Sequence, residues 1–161
     1  MQTLAFRFGY NLKNNRCALV LRSHDLGGTD YSYIATLDVA QAQAIEKGDA
    51  GIHFLGNSVA QPDIQPAYLK VKLRENLDRD NPPWLLMLEC NGEQTEIAQL
   101  TTGKVGLIKE GVRGSRSDIL PSQAEVDRLN AAMKRFKIED LRAEADRLEA
   151  ELDFATDIPT P

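Results

Sequence analysis

Two sets of apolar residues recur at helical spacing over residues 121–152. The first set is Val126, Leu129, Met133 and Phe136. The second set, called here the C-terminal stripe, is Ile138, Leu141, Ala145, Leu148 and Leu152. Steps of three and four residues align the side chains of each set along one side of an α-helix. Ser122 and Glu125 have the S-x-x-E spacing of a capping box, and Pro121 precedes them, so the pattern predicts one long helix starting here.

The two sets point in different directions, because the second is rotated from the first by about a third of a turn. A helix of about thirty residues would be ~45 Å long, whereas a domain built from the preceding residues would be roughly 35 Å across. We therefore expect the first set to pack on the domain and the C-terminal stripe to contact another copy or another protein. A bent helix with both sets on one core is the alternative.

Alternation of apolar and polar residues before the helix predicts about seven short strands. Seven fall within residues 3–10, 17–22, 31–37, 51–55, 68–74, 84–90 and 94–100, and residues 104–108 can add one more. Asp38 and Gln41 mark the start of one short helix that ends near Gly48. Asn91-Gly92 is typical of the tight turn of a β-hairpin. No internal repeat is apparent in the sequence.

These elements predict an α+β fold. Its mostly antiparallel sheet would form a sandwich or an open barrel, joined by the short helix and the long C-terminal helix. The expected division is a β-rich domain over residues 1–120, the long helix over 121–153 and a flexible acidic tail over 154–161.

The net charge of −5 comes from the end of the chain, where residues 138–161 hold eight acidic and two basic side chains. The N-terminus lacks the pattern of a signal peptide, and no run of 18 apolar residues is present. Cys17 and Cys90 are far apart in apolar segments, which predicts buried free thiols in a reducing cytoplasm; a single buried disulfide is the alternative.

An enzymatic site is the weakest of the hypotheses. His24, Asp25 and His53 could form a small acid–base or metal site if the fold brought them together. The chain has no H-x-x-x-H, C-x-x-C or G-x-S-x-G motif, and Thr102-Gly103-Lys104 lacks both flanks of a phosphate-binding loop. We therefore expect no catalytic residue, metal or cofactor, and a small enzyme that uses His24, Asp25 and His53 is the third hypothesis.

A nucleic-acid-binding accessory protein, possibly specific for single strands, is the second hypothesis. Its candidate phosphate contacts are Lys70, Lys72, Arg74, Arg113 and Arg116. Its candidate base-stacking residues are Tyr31, Tyr33 and Tyr68. The alternative is that the lysines protect an edge strand and that Arg113 and Arg116 pair with the acidic helix.

The last residues resemble the acidic tip of bacterial single-stranded-DNA-binding proteins. The similarity is carried by Asp153-Phe154 and by Asp157-Ile158-Pro159. The chain has Thr160-Pro161 where that family has the terminal phenylalanine used for docking, so the resemblance does not assign the family. The leading hypothesis is a non-enzymatic binding or assembly protein that uses the C-terminal stripe, with a homo-oligomer or another protein as its partner.

Overall fold

The computed structural model describes residues 3–25, 28–48, 63–111 and 119–156. The strands are β1 (Thr3–Asn11), β2 (Arg16–Asp25), β3 (Gly28–Asp38), β4 (Tyr68–Leu73), β5 (Trp84–Cys90) and β6 (Glu93–Leu100). The helices are α1 (Val39–Gly48), α2 (Thr102–Gly111) and α3 (Gln123–Thr156), and a 3-10 turn spans Leu12–Asn14. The chain divides into two compact units, Met1–Ser122 and Gln123–Pro161.

The first unit contains two antiparallel three-stranded sheets, ordered β1-β2-β3 and β4-β5-β6. The α+β prediction is confirmed, as is the long C-terminal helix. The described residues form six strands rather than seven, and they do not close into a barrel. The strand predicted at residues 51–55 lies outside the described residues.

The strand predicted at residues 104–108 is wrong, because this segment belongs to α2. Val105 and Ile108 are buried and lie three residues apart, a spacing that puts them on one side of a helix. The hydroxyl of Thr101 accepts a hydrogen bond from the Lys104 amide at 3.2 Å, and its carbonyl accepts one from the Val105 amide at 3.1 Å. This cap starts a second short helix where only one was predicted.

Local turn chemistry matches the predictions. Asn91 and Gly92 have positive φ values of 52° and 79° and join β5 to β6 in a tight hairpin. Asp38 and Gln41 form a reciprocal cap at the start of α1. The Gln41 amide donates to Asp38 Oδ1 at 2.7 Å, and the Asp38 amide donates to Gln41 Oε1 at 3.1 Å.

The two sheets repeat one structural plan. Each consists of three antiparallel strands followed directly by a helix. In each, the pairing of the second and third strands skips one residue, Ile34 in β3 and Ile97 in β6. The sequences from these bulges to the helix caps are IATLD at residues 34–38 and IAQLT at residues 97–101. The described residues of the first unit therefore contain a βββα plan that occurs twice, which the sequence analysis missed.

The matching register extends across all three strands of each half. Leu19 in β2 pairs with Phe8 and Ala35, as Leu86 in β5 pairs with Val71 and Ala98. The side chains that form the core are thus placed equivalently in both halves. The largest fully buried side chains are Trp84, Phe8, Leu19, Leu21, Leu37, Ile45, Leu69, Leu73, Leu86, Leu100 and Ile108.

Each helix also packs near the first strand of the opposite half, α1 beside β4 and α2 beside β1. The Ala67 amide, immediately before β4, donates to the carbonyl of Ala44 in α1 at 2.9 Å. Lys104 Nζ in α2 donates to the carbonyl of Tyr33 in β3 at 2.9 Å. The halves are therefore interlocked, which explains why they form one compact unit.

The second unit is dominated by α3, a continuous helix of 34 residues. It begins directly after Ser122, as predicted. It continues to Thr156, so Phe154 is helical instead of belonging to a flexible tail. Residues 157–161 of the predicted tail lie outside the described residues.

Candidate functional site

The C-terminal stripe lies on the exposed part of α3. The exposed fractions are 48% for Ile138, 59% for Leu141, 51% for Leu148 and 64% for Leu152, and Ala145 is exposed as well. A continuous helix keeps residues at this spacing on one side. The structure therefore brings the five predicted partner-binding residues together as one apolar strip facing solvent.

The first apolar set of α3 is less uniformly buried than its spacing predicts. Leu129 is buried, whereas Met133 is 54% exposed and Val126 and Phe136 are half-buried. Ala132, which the pattern did not single out, is fully buried. Its position three residues after Leu129 is the signal that could have identified it.

Basic and acidic side chains occupy different parts of α3. Before the stripe lie the basic residues Arg128, Lys134, Arg135 and Lys137, whereas residues 138–153 are mainly acidic. Arg147 pairs with Glu144 at 3.0 Å and with Glu151 at 2.9 Å, and all three side chains are more than half exposed. Such exposed pairs stabilise a helix only slightly, but they partly neutralise the acidic residues beside the stripe.

Two of the predicted nucleic-acid contacts, Lys70 and Lys72, lie on β4, and a third, Arg74, directly follows it. Lys70 and Lys72 are half-buried and alternate with the buried Leu69, Val71 and Leu73. Across the strand pair, Lys70 faces Met87 and Lys72 faces Leu85. Lys70 and Lys72 thus lie beside apolar residues on the face of the sheet opposite the buried Leu69, Val71 and Leu73.

Arg74, the third of these residues, holds the loop that follows β4. Its amide donates to the Pro83 carbonyl at 2.9 Å, and its Nε donates to the Pro82 carbonyl at 3.2 Å. In the same loop, Asp78 accepts hydrogen bonds from the side chain and amide of Asn81, which lower the pKa of Asp78. Arg74 thus stabilises this loop through its hydrogen bonds to Pro82 and Pro83.

A shallow groove of about 430 Å³ opens beside this loop. It is lined by Lys72, Leu73, Arg74, Glu75, Asn76, Asp78, Leu85 and Met87. Because cationic and anionic side chains are mixed in its lining, the groove has no clear preference for an anion.

The other nucleic-acid candidates are only partly placed. Arg113 and Arg116 lie outside the described residues. Tyr33 and Tyr68 are 54% and 41% exposed on strands of the two sheets, whereas Tyr31 is placed by its backbone in β3. The Tyr33 hydroxyl lies 2.8 Å from Thr36 Oγ1. Both described tyrosines therefore present aromatic surface to solvent.

The proposed His24, Asp25 and His53 site is not assembled by the described residues. His24 and Asp25 lie at the end of β2, paired with Thr29 and Gly28 in β3, rather than in the predicted loop. His53 lies outside the described residues. The described part of the chain contains no group of three or more His, Cys, Asp or Glu residues able to hold a metal.

Both cysteines are free thiols, Cys17 buried and Cys90 half-buried. Burial, followed by the negative charge of Glu46, raises the pKa of Cys17 from 9.0 to about 12. The Cys17 thiol therefore stays protonated at neutral pH, which makes it a poor nucleophile.

Within residues 3–25, 28–48, 63–111 and 119–156, no helix is long and apolar enough to cross a membrane. The comparisons with known proteins add no assignment. The chain matches no protein family model, no curated protein and no solved structure.

Proposed function

We propose that this is a non-enzymatic binding and assembly protein, which associates through the C-terminal stripe while its β-rich unit carries a ligand surface. The observation that supports this proposal is the exposure of Ile138, Leu141, Leu148 and Leu152 along one side of a continuous helix. Apolar residues exposed singly are ordinary, but an aligned strip of them is typical of helix–helix association. The free thiols Cys17 and Cys90 fit a reducing, cytoplasmic setting.

The expected strength of association follows from the exposed fractions. Complete burial of a leucine or isoleucine side chain contributes about 1.5–3 kcal/mol. Because the large residues of the stripe are about half exposed, covering each one contributes ~1 kcal/mol, or ~8 kcal/mol for two such helices. Association itself costs several kcal/mol. After this cost is subtracted, the stripe supports binding in the high-micromolar to millimolar range.

The test replaces Leu141 and Leu148 together by aspartate. Both are exposed, so the β-rich unit should keep its stability, whereas association should weaken by about 1,000-fold because ~4 kcal/mol of apolar burial is lost. Solution mass should be measured by light scattering from about 10 μM to 2 mM, which spans the expected affinity. Circular dichroism and urea unfolding would report folding.

The matched control is Ala143→Asp with Ala150→Asp. These two alanines are exposed on the same helix, have the same seven-residue spacing and lie off the stripe. The control adds the same charge and should keep the oligomer. If the wild-type chain has the mass of a monomer throughout this range, self-association is refuted; equal masses for both double variants would refute the role of the stripe.

The exposed tyrosines and the β4 lysines favour nucleic-acid binding as the second candidate function. Tyr33 and Tyr68 offer stacking surfaces, and Lys70 and Lys72 offer positive charge on the outer face of β4. Binding to single-stranded DNA or RNA should weaken as salt rises. Fluorescence anisotropy with a labelled oligonucleotide would measure it.

Reversing the charge of Lys70 and Lys72 to glutamate should weaken this binding more than reversing Lys13 and Lys109. The latter two lysines are exposed and lie outside β4, so they control for the change in net charge. Absence of binding to the oligonucleotide at low salt would refute nucleic-acid binding as a function.

A further inference from the structure

We propose that the partner of the C-terminal stripe is a second copy of this chain, bound in an antiparallel orientation with Ile138 opposite Leu148 of the second copy. The inference rests on the proposed function and adds the identity and direction of the partner. The alternating steps of three and four residues place Ile138, Ala145 and Leu152 at the first apolar position of successive heptads. Leu141 and Leu148 occupy the second apolar position.

The residues beside this apolar seam determine which orientation the charges allow. On one flank, each residue immediately precedes a first apolar position: Lys137, Glu144 and Glu151. On the other flank, each residue immediately follows a second apolar position or Lys134, which lies seven residues before Leu141. These residues are Arg135, Arg142 and Glu149. All six side chains are exposed in the structure. Charges at these flanking positions set partner choice and orientation in paired helices.

A parallel pair would place like charges together. In that arrangement, each residue of the first flank approaches the residue five positions later on the second flank of the partner helix. Lys137 would then approach Arg142 of the second copy, and Glu144 would approach Glu149 of the second copy. Symmetry repeats each repulsion, so every charged contact of this type within the seam is unfavourable.

An antiparallel pair instead brings each flank against the same flank of the partner, because one helix is reversed. With Ile138 opposite Leu148 of the second copy, Leu141 lies opposite Ala145. Lys137 then approaches Glu151 of the second copy, and Arg135 approaches Glu149. Because the two copies are related by symmetry, each of these contacts occurs twice, which gives four opposite-charge contacts.

Only two like-charge contacts remain in this register, both at the symmetry axis. They bring Arg142 near Arg142 of the second copy and Glu144 near Glu144. Glu144 is already paired with Arg147 within its own helix, which reduces the second repulsion. The separation of basic and acidic residues along α3 is therefore complementary to itself only when the helices run in opposite directions.

The experiment uses two full-length proteins in a Cys90→Ser background, one carrying Ile138→Cys and the other Leu148→Cys. Cys17 is buried and its thiol stays protonated, so it does not compete. Under mild oxidation, a disulfide requires the two Cα atoms to lie within about 7 Å. An antiparallel pair brings position 138 of one copy beside position 148 of the other, whereas identical positions are ten residues, or ~15 Å, apart along the helix.

The expected result is a covalent dimer that forms at least tenfold faster in an equimolar mixture than in either protein alone. Each protein cross-linking by itself, with no gain on mixing, would show a parallel pair and overturn the inference while leaving the proposed function intact. A dimer by light scattering without any cross-link would overturn the stated register. A monomeric wild-type chain would instead refute self-association itself.

Discussion

Substitution of Gly48 by alanine tests the contact that interlocks the two βββα halves. Gly48 is the last residue of α1. An added Cβ there would meet the carbonyl oxygen of Ala67, and it would lie 3.0 Å from the Ala67 nitrogen and 3.2 Å from its carbonyl carbon. Ala67 is fully buried, and its amide donates to the Ala44 carbonyl at 2.9 Å. Because all three clashing atoms belong to the backbone, no change of side-chain rotamer can relieve the overlap.

Opposing contributions set the size of the change in the free energy of unfolding. Alanine is favoured over glycine within helices by about 1 kcal/mol. Overpacking costs about 1–3 kcal/mol, and weakening the Ala67–Ala44 hydrogen bond costs ~1 kcal/mol more. We therefore expect Gly48→Ala to lower the free energy of unfolding by about 1–3 kcal/mol, although helix propensity alone predicts an increase.

Urea unfolding followed by fluorescence of Trp84, the only tryptophan and a buried one, would measure this change. With a denaturant dependence of about 2 kcal/mol per molar, the midpoint should fall by roughly 0.5–1.5 M. Gly106→Ala in α2 is the matched control, since nothing lies within 4 Å of its added Cβ. The control should raise stability by up to ~1 kcal/mol. A rise for Gly48→Ala would refute the close approach of α1 to Ala67.

Three other changes test local features of the first unit. Asp38→Ala should lower the free energy of unfolding by ~1 kcal/mol because the reciprocal cap with Gln41 is lost; Asp38→Asn should keep most of it, and equal losses in urea unfolding would contradict the cap. Gly92→Ala, at a φ of 79°, should cost about 1–2 kcal/mol in the same assay, and no loss would contradict this turn geometry. Because the pKa of Cys17 is raised from 9.0 to about 12, the unfolded chain loses this proton first, so stability should fall as pH rises across that interval. Cys17→Ala should show a smaller fall between pH 9.0 and 12, and parallel pH profiles would refute the role of this thiol.

Short-range signals in the sequence predicted local structure well. The spacing of Asp38 and Gln41 identified the start of α1, and Asn91-Gly92 identified the hairpin between β5 and β6. Ser122 marked the residue before α3. These predictions succeeded because a cap or a tight turn depends on backbone geometry within a few residues.

The spacing of apolar residues was ambiguous in short segments. Residues 104–108 contain too few residues to separate a helical period from an alternating one, and the Thr101 cap decided in favour of α2. The end of β2 was also missed, because His24 and Asp25 are polar and were expected in a loop. Their strand pairing with β3 is made by the backbone, which side-chain polarity does not reveal.

By itself, the sequence determined the α+β class, the caps, the hairpin and the apolar stripe of α3, since each depends on neighbours along the chain. Only the tertiary structure showed that the described residues of the first unit repeat a βββα plan and that each helix packs near the first strand of the other half. Equivalent core positions hold different residues, Cys17 in one half and Trp84 in the other. Side chains of unlike shape can fill equivalent places when the opposing layer compensates for their volume. The repeated βββα plan is therefore visible in the strand register and the long-range packing, whereas the residues at many equivalent positions differ.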